Sequence, residues 1–127
     1  MAAIEIKHLE SGIVLATEAQ AATNFLARLV GLIGRESLEP GREALILYPC
    51  RSVHTFFMRF ALDLLYVDRE GQVVESVSNL SPRSSGPLVR AAVMVIELPA
   101  GVIKEHGVKK GDQLLFNGSK DLLPVLD

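Results

Sequence analysis

Short runs of apolar and β-branched residues recur along the chain, and most of them alternate with polar positions. Runs of this length, bounded by glycine, proline or acidic residues, are typical of β-strands. The pattern predicts about seven or eight short, largely antiparallel strands. The runs that carry this prediction are IEIKHL, GIVLATEA, ALILY, LDLLYVD, QVVESVSNL, VMVIEL and DQLLF.

One segment changes to a helical period. In ATNFLARLVGLIG the apolar residues recur at spacings of three and four, which gives a broad apolar helical face. Thr23 or Asn24 can cap its start, and Gly34 stands where a left-handed residue ends many helices. A shorter helix or turn is predicted in PAGVIKEHG, ending at Gly107. We therefore expect one main helix and one short helix.

The order of these elements favours a mostly β fold of the α+β class. Strands do not alternate with helices, so parallel βαβ units are not expected. Closure of the sheet into a small barrel would remove its edges, and we expect one compact barrel-like domain over residues 1–127. Residues 117–127 form a tail with four apolar side chains. We expect this tail to dock on the domain or on a second copy of the chain, which would give a homodimer.

Composition and charge limit the classes of function. The 127 residues are 49% hydrophobic and 22% charged with a net charge of -2, so no overall basic field favours nucleic-acid binding. The longest apolar segment, AAVMVIELPAGVI, is interrupted by Glu97 and Pro99 and is shorter than the roughly 20 residues of a membrane-spanning helix. Glu5 and Lys7 argue against a signal peptide. We expect a cytoplasmic protein, although a chain trimmed of an export signal would look the same.

The single cysteine, Cys50, begins a series of potential soft metal ligands with His54 and Met58. One cysteine cannot form an intrachain disulfide, which fits a reducing compartment. The residues around the series favour a strand. Four residues of a strand span about 13 Å, whereas a bond from zinc to its ligand is about 2 Å. His8 and His106 have no visible partners and are interpreted as surface residues. We therefore expect no metal and no cofactor.

Two carboxylates lie within apolar runs, Asp63 among leucines and Glu97 after Val-Met-Val-Ile. An ionised group in such a position must be paired or strongly hydrogen-bonded. We expect Asp63 to have an arginine or a backbone amide as its partner, with Arg28 the first choice and Arg59 the second. Such a pair either satisfies the core alone or lines a polar pocket. For Glu97 we favour the purely structural role.

The segment PCRSVHTFFMRFALDLLYVDREGQVV resembles the central signature of the domain of unknown function 192 family. Two further blocks, ARLVGLIGRESL and VIELPAG followed by HGVKKGD, resemble other parts of the family pattern. Ala61 and Ala27 depart from it, because many members have proline and glutamate there. The resemblance implies a compact β-rich barrel with little helix, members that are often exported or membrane-tethered, and no established activity. The matching residues of the central signature are His54, Thr55, Phe57, Met58, Asp63, Asp68 and Gly71.

Two functions are compatible with these residues. The preferred one is a non-enzymatic module that binds a small molecule or a protein in a polar pocket around residues 54–59. The alternative is a small hydrolase-like enzyme with His54 as base and Asp63 as orienting group, or with Cys50 or Ser52 as nucleophile. A regular strand points two residues an odd number apart to opposite faces, and no nucleophile elbow is present, so we assign no catalytic residue. The predicted pocket residues are Arg28, His54, Thr55, Met58, Arg59, Asp63 and Arg83.

Overall fold

A computed structural model of the chain describes residues 3–22, 37–53 and 59–118. These residues form seven strands and one helix, which confirms a mostly β fold. The predicted main helix lies outside the described residues, and the predicted short helix is present as α1. The elements are β1 (Ile4–His8), β2 (Ile13–Ala22), β3 (Gly41–Leu47), β4 (Leu62–Val67), β5 (Val73–Leu80), β6 (Met94–Pro99), α1 (Val102–His106) and β7 (Leu114–Asn117). Within this part of the chain, no helix is long and apolar enough to cross a bilayer.

The seven strands form one sheet in the order β5-β4-β6-β3-β2-β1-β7. Five of its six strand pairs are antiparallel, and β2 and β3 are parallel, with Ala22 beside Leu47. The sheet is therefore largely antiparallel, as expected, and it contains one parallel pair that the order of the elements did not predict. Parallel neighbours need a crossover connection of a dozen or more residues, and the long segment between β2 and β3 provides one.

The sheet curls, and its two edge strands approach each other at one end. An isolated bridge joins Gln72 to Gln113, and the Leu114 amide donates to the Gly71 carbonyl at 2.9 Å. Gly71 has a φ of 84°, and a β-carbon there would lie 2.8 Å from the Gln113 side-chain nitrogen. Among the described residues β5 and β7 share no full ladder, so the expected closed barrel is an open, curled half-barrel.

Both faces of the central strands are covered. Along β6, Met94, Ile96 and Leu98 belong to one apolar cluster, and Val95 belongs to a second cluster on the opposite face. All residues of β4 and β6 are buried. Strands that are buried on both faces read as continuous apolar runs rather than as alternating ones. Any polar residue in these two strands is therefore forced into the interior.

Candidate functional site

Three of the predicted pocket residues, Arg59, Asp63 and Arg83, are among the described residues. Asp63 is 0% exposed, whereas both arginines are exposed. Among the described residues, neither arginine forms an ion pair with Asp63. The structure therefore does not bring these three side chains together. Arg28, His54, Thr55 and Met58 lie outside the described residues, and so does the predicted pairing of Asp63 with Arg28.

The carboxylate of Asp63 is held by three backbone amides. One oxygen accepts the Asn79 amide at 2.8 Å, and the other accepts the Gly101 and Ile103 amides at 3.1 and 2.8 Å. Asn79 lies at a register shift of the β4–β5 pair and has a φ of 57°. Of the two expected kinds of partner, the backbone amide is thus present. The expected pair with Arg59 is not formed, and the Arg59 side chain is exposed.

Asp63 also takes the place of a helix cap. Helix α1 begins after Gly101, which has no side chain to bond the free amides of the first turn. These amides normally need a side-chain acceptor, and an anion is favoured at the positive end of a helix. Asp63 supplies that acceptor from β4. The register shift at Asn79 is a bulge in β5. The role of Asp63 in the described structure is therefore to fasten α1 and this β5 bulge to the sheet.

Glu97 is buried on the opposite face of the sheet. It pairs with Leu45 of β3 and with Leu64 of β4, and only 5% of its surface is exposed. Among the described residues, no charged group or hydrogen bond offsets the cost of burying its carboxyl group. Burial in these apolar surroundings raises the pKa of Glu97 to about 7. Its charge state therefore changes near neutral pH.

A cleft of about 530 Å³ opens beside the end of β3. The turn between β4 and β5 contributes Arg69 to it, and the residue before β6 contributes Val93. Two hydrogen bonds to backbone carbonyls fix one wall. The Cys50 amide donates to the Val93 carbonyl at 3.0 Å, and the Arg51 side chain donates through Nε to the Ala92 carbonyl at 3.3 Å. The lining residues are Tyr48, Pro49, Cys50, Arg51, Ser52, Arg69 and Val93. Two of them are cationic and none is a carboxylate.

A second polar cluster surrounds His8, which is only 2% exposed. Its Nε2 lies 2.7 Å from Asp112 Oδ2 and 3.6 Å from Glu10 Oε1, and its Nδ1 lies 2.6 Å from Ser11 Oγ. Burial raises the pKa of Asp112, but the hydrogen bonds from His8 and the Lys109 amide outweigh it and leave that pKa below its ordinary value.

The interpretation of His8 as a surface residue was wrong. The side chain with which it pairs is 104 positions away, so no local spacing reveals the contact. One signal was available in the sequence. The alternation of β1 places His8 on the same face as Ile4 and Ile6, which are buried.

Comparison with known proteins places the chain in a family. A family model described as Uncharacterized ACR, the domain of unknown function 192, matches residues 6–116. The chain belongs to this family. The matched residues run from within β1 to within β7 and include every described helix and strand between them.

Two relatives support the assignment, and two solved structures are similar to the chain. The chain is 31% identical over 105 residues to a UPF0127 protein of Pyrococcus furiosus, covering 79% of this chain and 87% of that protein. It is 32% identical over 100 residues to a UPF0127 protein of Pyrococcus abyssi, with coverages of 75% and 82%. A protein of unknown function from Novosphingobium aromaticivorans has a TM-score of 0.75 at 21% identity, with coverages of 88% and 82%. A putative transcription regulator from Sinorhizobium meliloti has a TM-score of 0.73 at 23% identity, with coverages of 89% and 91%. These two structures share the fold.

Three residues of the family signature have structural roles in the described part of the chain. Asp63 fastens α1 and the β5 bulge. Asp68 shapes the β4–β5 turn, because one of its oxygens accepts the amides of Glu70 and Gln72, each at 2.9 Å. Gly71 supplies the positive φ that this turn requires. The second half of the signature thus specifies the fold.

Proposed function

We propose that the protein is a non-enzymatic module that binds a small anionic ligand in the cleft between Arg51 and Arg69. The observation that carries the proposal is the charge of the lining, which has two guanidinium groups and no carboxylate. An unbalanced pair of arginines in a concave site attracts an anion, because the walls focus the field of both charges.

The chemistry of the lining favours a ligand with a carboxylate or phosphate group. Arginine presents a planar fork of N–H donors that can bind either group through two parallel hydrogen bonds. Arg51 is already oriented by its bond to the Ala92 carbonyl, so less side-chain freedom is lost when a ligand binds. Tyr48, Pro49 and Val93 offer an apolar surface for the body of the ligand.

The size and place of the cleft support the same function. Sites for small molecules have volumes of about 300–1,000 Å³, and this cleft has about 530 Å³. Ser52 in its lining lies two positions before His54, the first residue of the predicted pocket segment. We propose that the predicted pocket residues His54, Thr55 and Met58 take part in the same binding function.

The lining argues for binding rather than catalysis. Cys50 supplies the thiol of the lining, and this thiol donates to the Ser52 carbonyl at 3.0 Å, which is not a base that could activate a nucleophile. The alternative hydrolase draws no support from Asp63, because both of its oxygens already accept backbone amides. A binding module is therefore the function that these residues support best.

Calorimetric titration with phosphate, citrate and pyrophosphate tests the proposal. We expect at least one of these anions to bind, and we expect Arg51→Gln and Arg69→Gln each to weaken its binding by about tenfold or more, which corresponds to about 1.4 kcal/mol. Lys104→Gln is the control, because it removes one exposed positive charge from α1, away from the cleft. The proposal fails if none of the anions binds at millimolar concentration, or if the three variants bind equally well.

A further inference from the structure

We propose that His8, Glu10 and Asp112 form a binding site for a divalent transition-metal ion, with zinc as the best match. The three residues come from β1, from the turn after it and from the turn before β7. Each offers one ligand atom, and these atoms all lie within 4.8 Å of one another. This cluster shares no residue with the arginine cleft or with the series Cys50, His54 and Met58, so the inference is independent of the proposed function.

The separations of the ligand atoms suit one ion. Zinc bonds to nitrogen and oxygen are about 2.0–2.2 Å long in a tetrahedral arrangement, which places neighbouring ligand atoms about 3.4 Å apart. His8 Nε2 lies 3.6 Å from Glu10 Oε1 and 2.7 Å from Asp112 Oδ2. The first distance is slightly longer than the required spacing and the second is shorter. The separation between the two carboxylate oxygens is at most 4.8 Å, so rotations of the two carboxylates would bring all three atoms onto the ion.

Each of these side chains is already oriented by a second hydrogen bond. Ser11 Oγ holds the Nδ1 side of His8 at 2.6 Å, and the Lys109 amide donates to Asp112 Oδ2 at 2.9 Å. The Gln113 amide donates to both oxygens of Glu10, at 3.0 and 3.1 Å. Partners of this kind are what orient the ligands of metal sites. They hold the imidazole ring and the two carboxylates near the positions that an ion requires.

Charge and exposure indicate how an ion would enter. Two carboxylates and a neutral imidazole balance the charge of a divalent cation. His8 and Asp112 are buried, whereas Glu10 has 46% of its side chain exposed. An ion would therefore approach from the side of Glu10 and keep its fourth position toward solvent, as in zinc sites with three protein ligands.

The donor set favours zinc over calcium or magnesium. Calcium and magnesium take oxygen ligands almost entirely, whereas imidazole suits zinc, copper and nickel. Two carboxylate oxygens and one ring nitrogen, without sulfur, suit an ion that is intermediate between hard and soft. We therefore expect zinc to bind more tightly than calcium or magnesium.

Metal binding would change the tautomer of His8. A carboxylate only accepts hydrogen bonds, so in neutral His8 the proton is on Nε2, toward Asp112, and Nδ1 accepts from Ser11. An ion on Nε2 requires its lone pair, so that proton leaves Nε2 while another occupies Nδ1. The Ser11 hydroxyl then changes from donor to acceptor. The net proton count of the ring is unchanged.

The site can be tested by titrating the metal-stripped full chain with zinc chloride in a calorimeter. We expect one zinc ion per chain, and Glu10→Gln should weaken zinc binding by about tenfold or more, as ligand and orienting residues of metal sites do. Glu10 is exposed, and glutamine keeps an oxygen for the Gln113 amide, so this variant should remain folded. Glu105→Gln is the matched control, because it removes an exposed carboxylate of α1. Cys50→Ser should leave zinc binding unchanged.

The same titration, monitored by nitrogen NMR of the His8 ring, reports the tautomer of His8, which a change in stability alone would not alter. We expect the protonated-nitrogen signal to pass from Nε2 to Nδ1 as zinc is added. The proposal is overturned if wild-type protein and Glu10→Gln bind zinc equally, if Cys50→Ser abolishes binding, or if the His8 tautomer does not change at saturation. Failure of the wild type to bind zinc at all would overturn it as well.

Discussion

Asp63→Asn should destabilise the protein by about 2–4 kcal/mol, because a hydrogen bond to a charged acceptor contributes about 1.5–3 kcal/mol and a buried unsatisfied donor costs about 1–3 kcal/mol. Both oxygens of Asp63 accept backbone amides. Asparagine keeps one oxygen and replaces the other with an NH2 group, which would face an amide donor. Chemical denaturation of the two proteins at one pH measures the difference.

Asp68→Asn is the control for this change. The same Asp68 oxygen accepts the backbone amides of both Glu70 and Gln72. An asparagine at position 68 can therefore keep both bonds, and we expect a loss of no more than about 0.5 kcal/mol, as for ordinary surface substitutions. If Asp63→Asn were as mild as Asp68→Asn, Asp63 would not fasten α1 and the β5 bulge.

Glu97→Gln should stabilise the protein at alkaline pH and have little effect in acid. Burial raises the pKa of Glu97 from its ordinary value of 4.5 to about 7 in the folded state. Between these two values the folded chain keeps a proton that the unfolded chain has lost, so stability falls as pH rises through this window. One pKa unit corresponds to about 1.4 kcal/mol, so the penalty above pH 7 is about 3 kcal/mol.

Denaturation of wild type and Glu97→Gln from pH 5 to pH 8 checks this sign. We expect the advantage of the variant to grow with pH and to level off above the pKa of Glu97. Folding lowers the pKa of Asp112, so the effect of this group on stability has the opposite sign. Its stabilising contribution is lost only as pH falls below the ordinary pKa value of 3.8, which lies outside the range from pH 5 to pH 8. Glu105→Gln, at an exposed position of α1, is the control. An advantage of Glu97→Gln that did not change with pH would contradict the prediction.

Much of the fold could be predicted from the alternation of apolar and polar residues and from the residues of local turns. Strands β4 and β5 were predicted from the runs LDLLYVD and QVVESVSNL, and α1 was predicted from the segment that ends at Gly107. The burial of Asp63 followed from its leucine neighbours. All of these depend on residues close together in the chain, where periodicity and turn chemistry act directly.

The rest depended on contacts that the sequence pattern does not show. The partners of Asp63 are main-chain amides, which every residue has, and they become available only where β5 bulges and α1 begins. His8 and Asp112 meet because β1 and β7 are neighbours. Arg51 and Arg69 come from segments on either side of β4. The parallel pairing of β2 and β3 likewise reflects a crossover connection, which the apolar runs at its two ends do not specify.

The position of Asp63 has a consequence for the order of folding. Its three amide partners follow it in the sequence by 16, 38 and 40 positions. In a partly folded chain the carboxylate therefore lacks these partners until β5 has paired with β4 and α1 has packed beside the sheet. A five-residue helix is too short to persist alone, and this one has no cap of its own. Strand pairing and helix formation in this half of the molecule therefore become a single cooperative event, in which the helix is the product of an assembled sheet and not its nucleus.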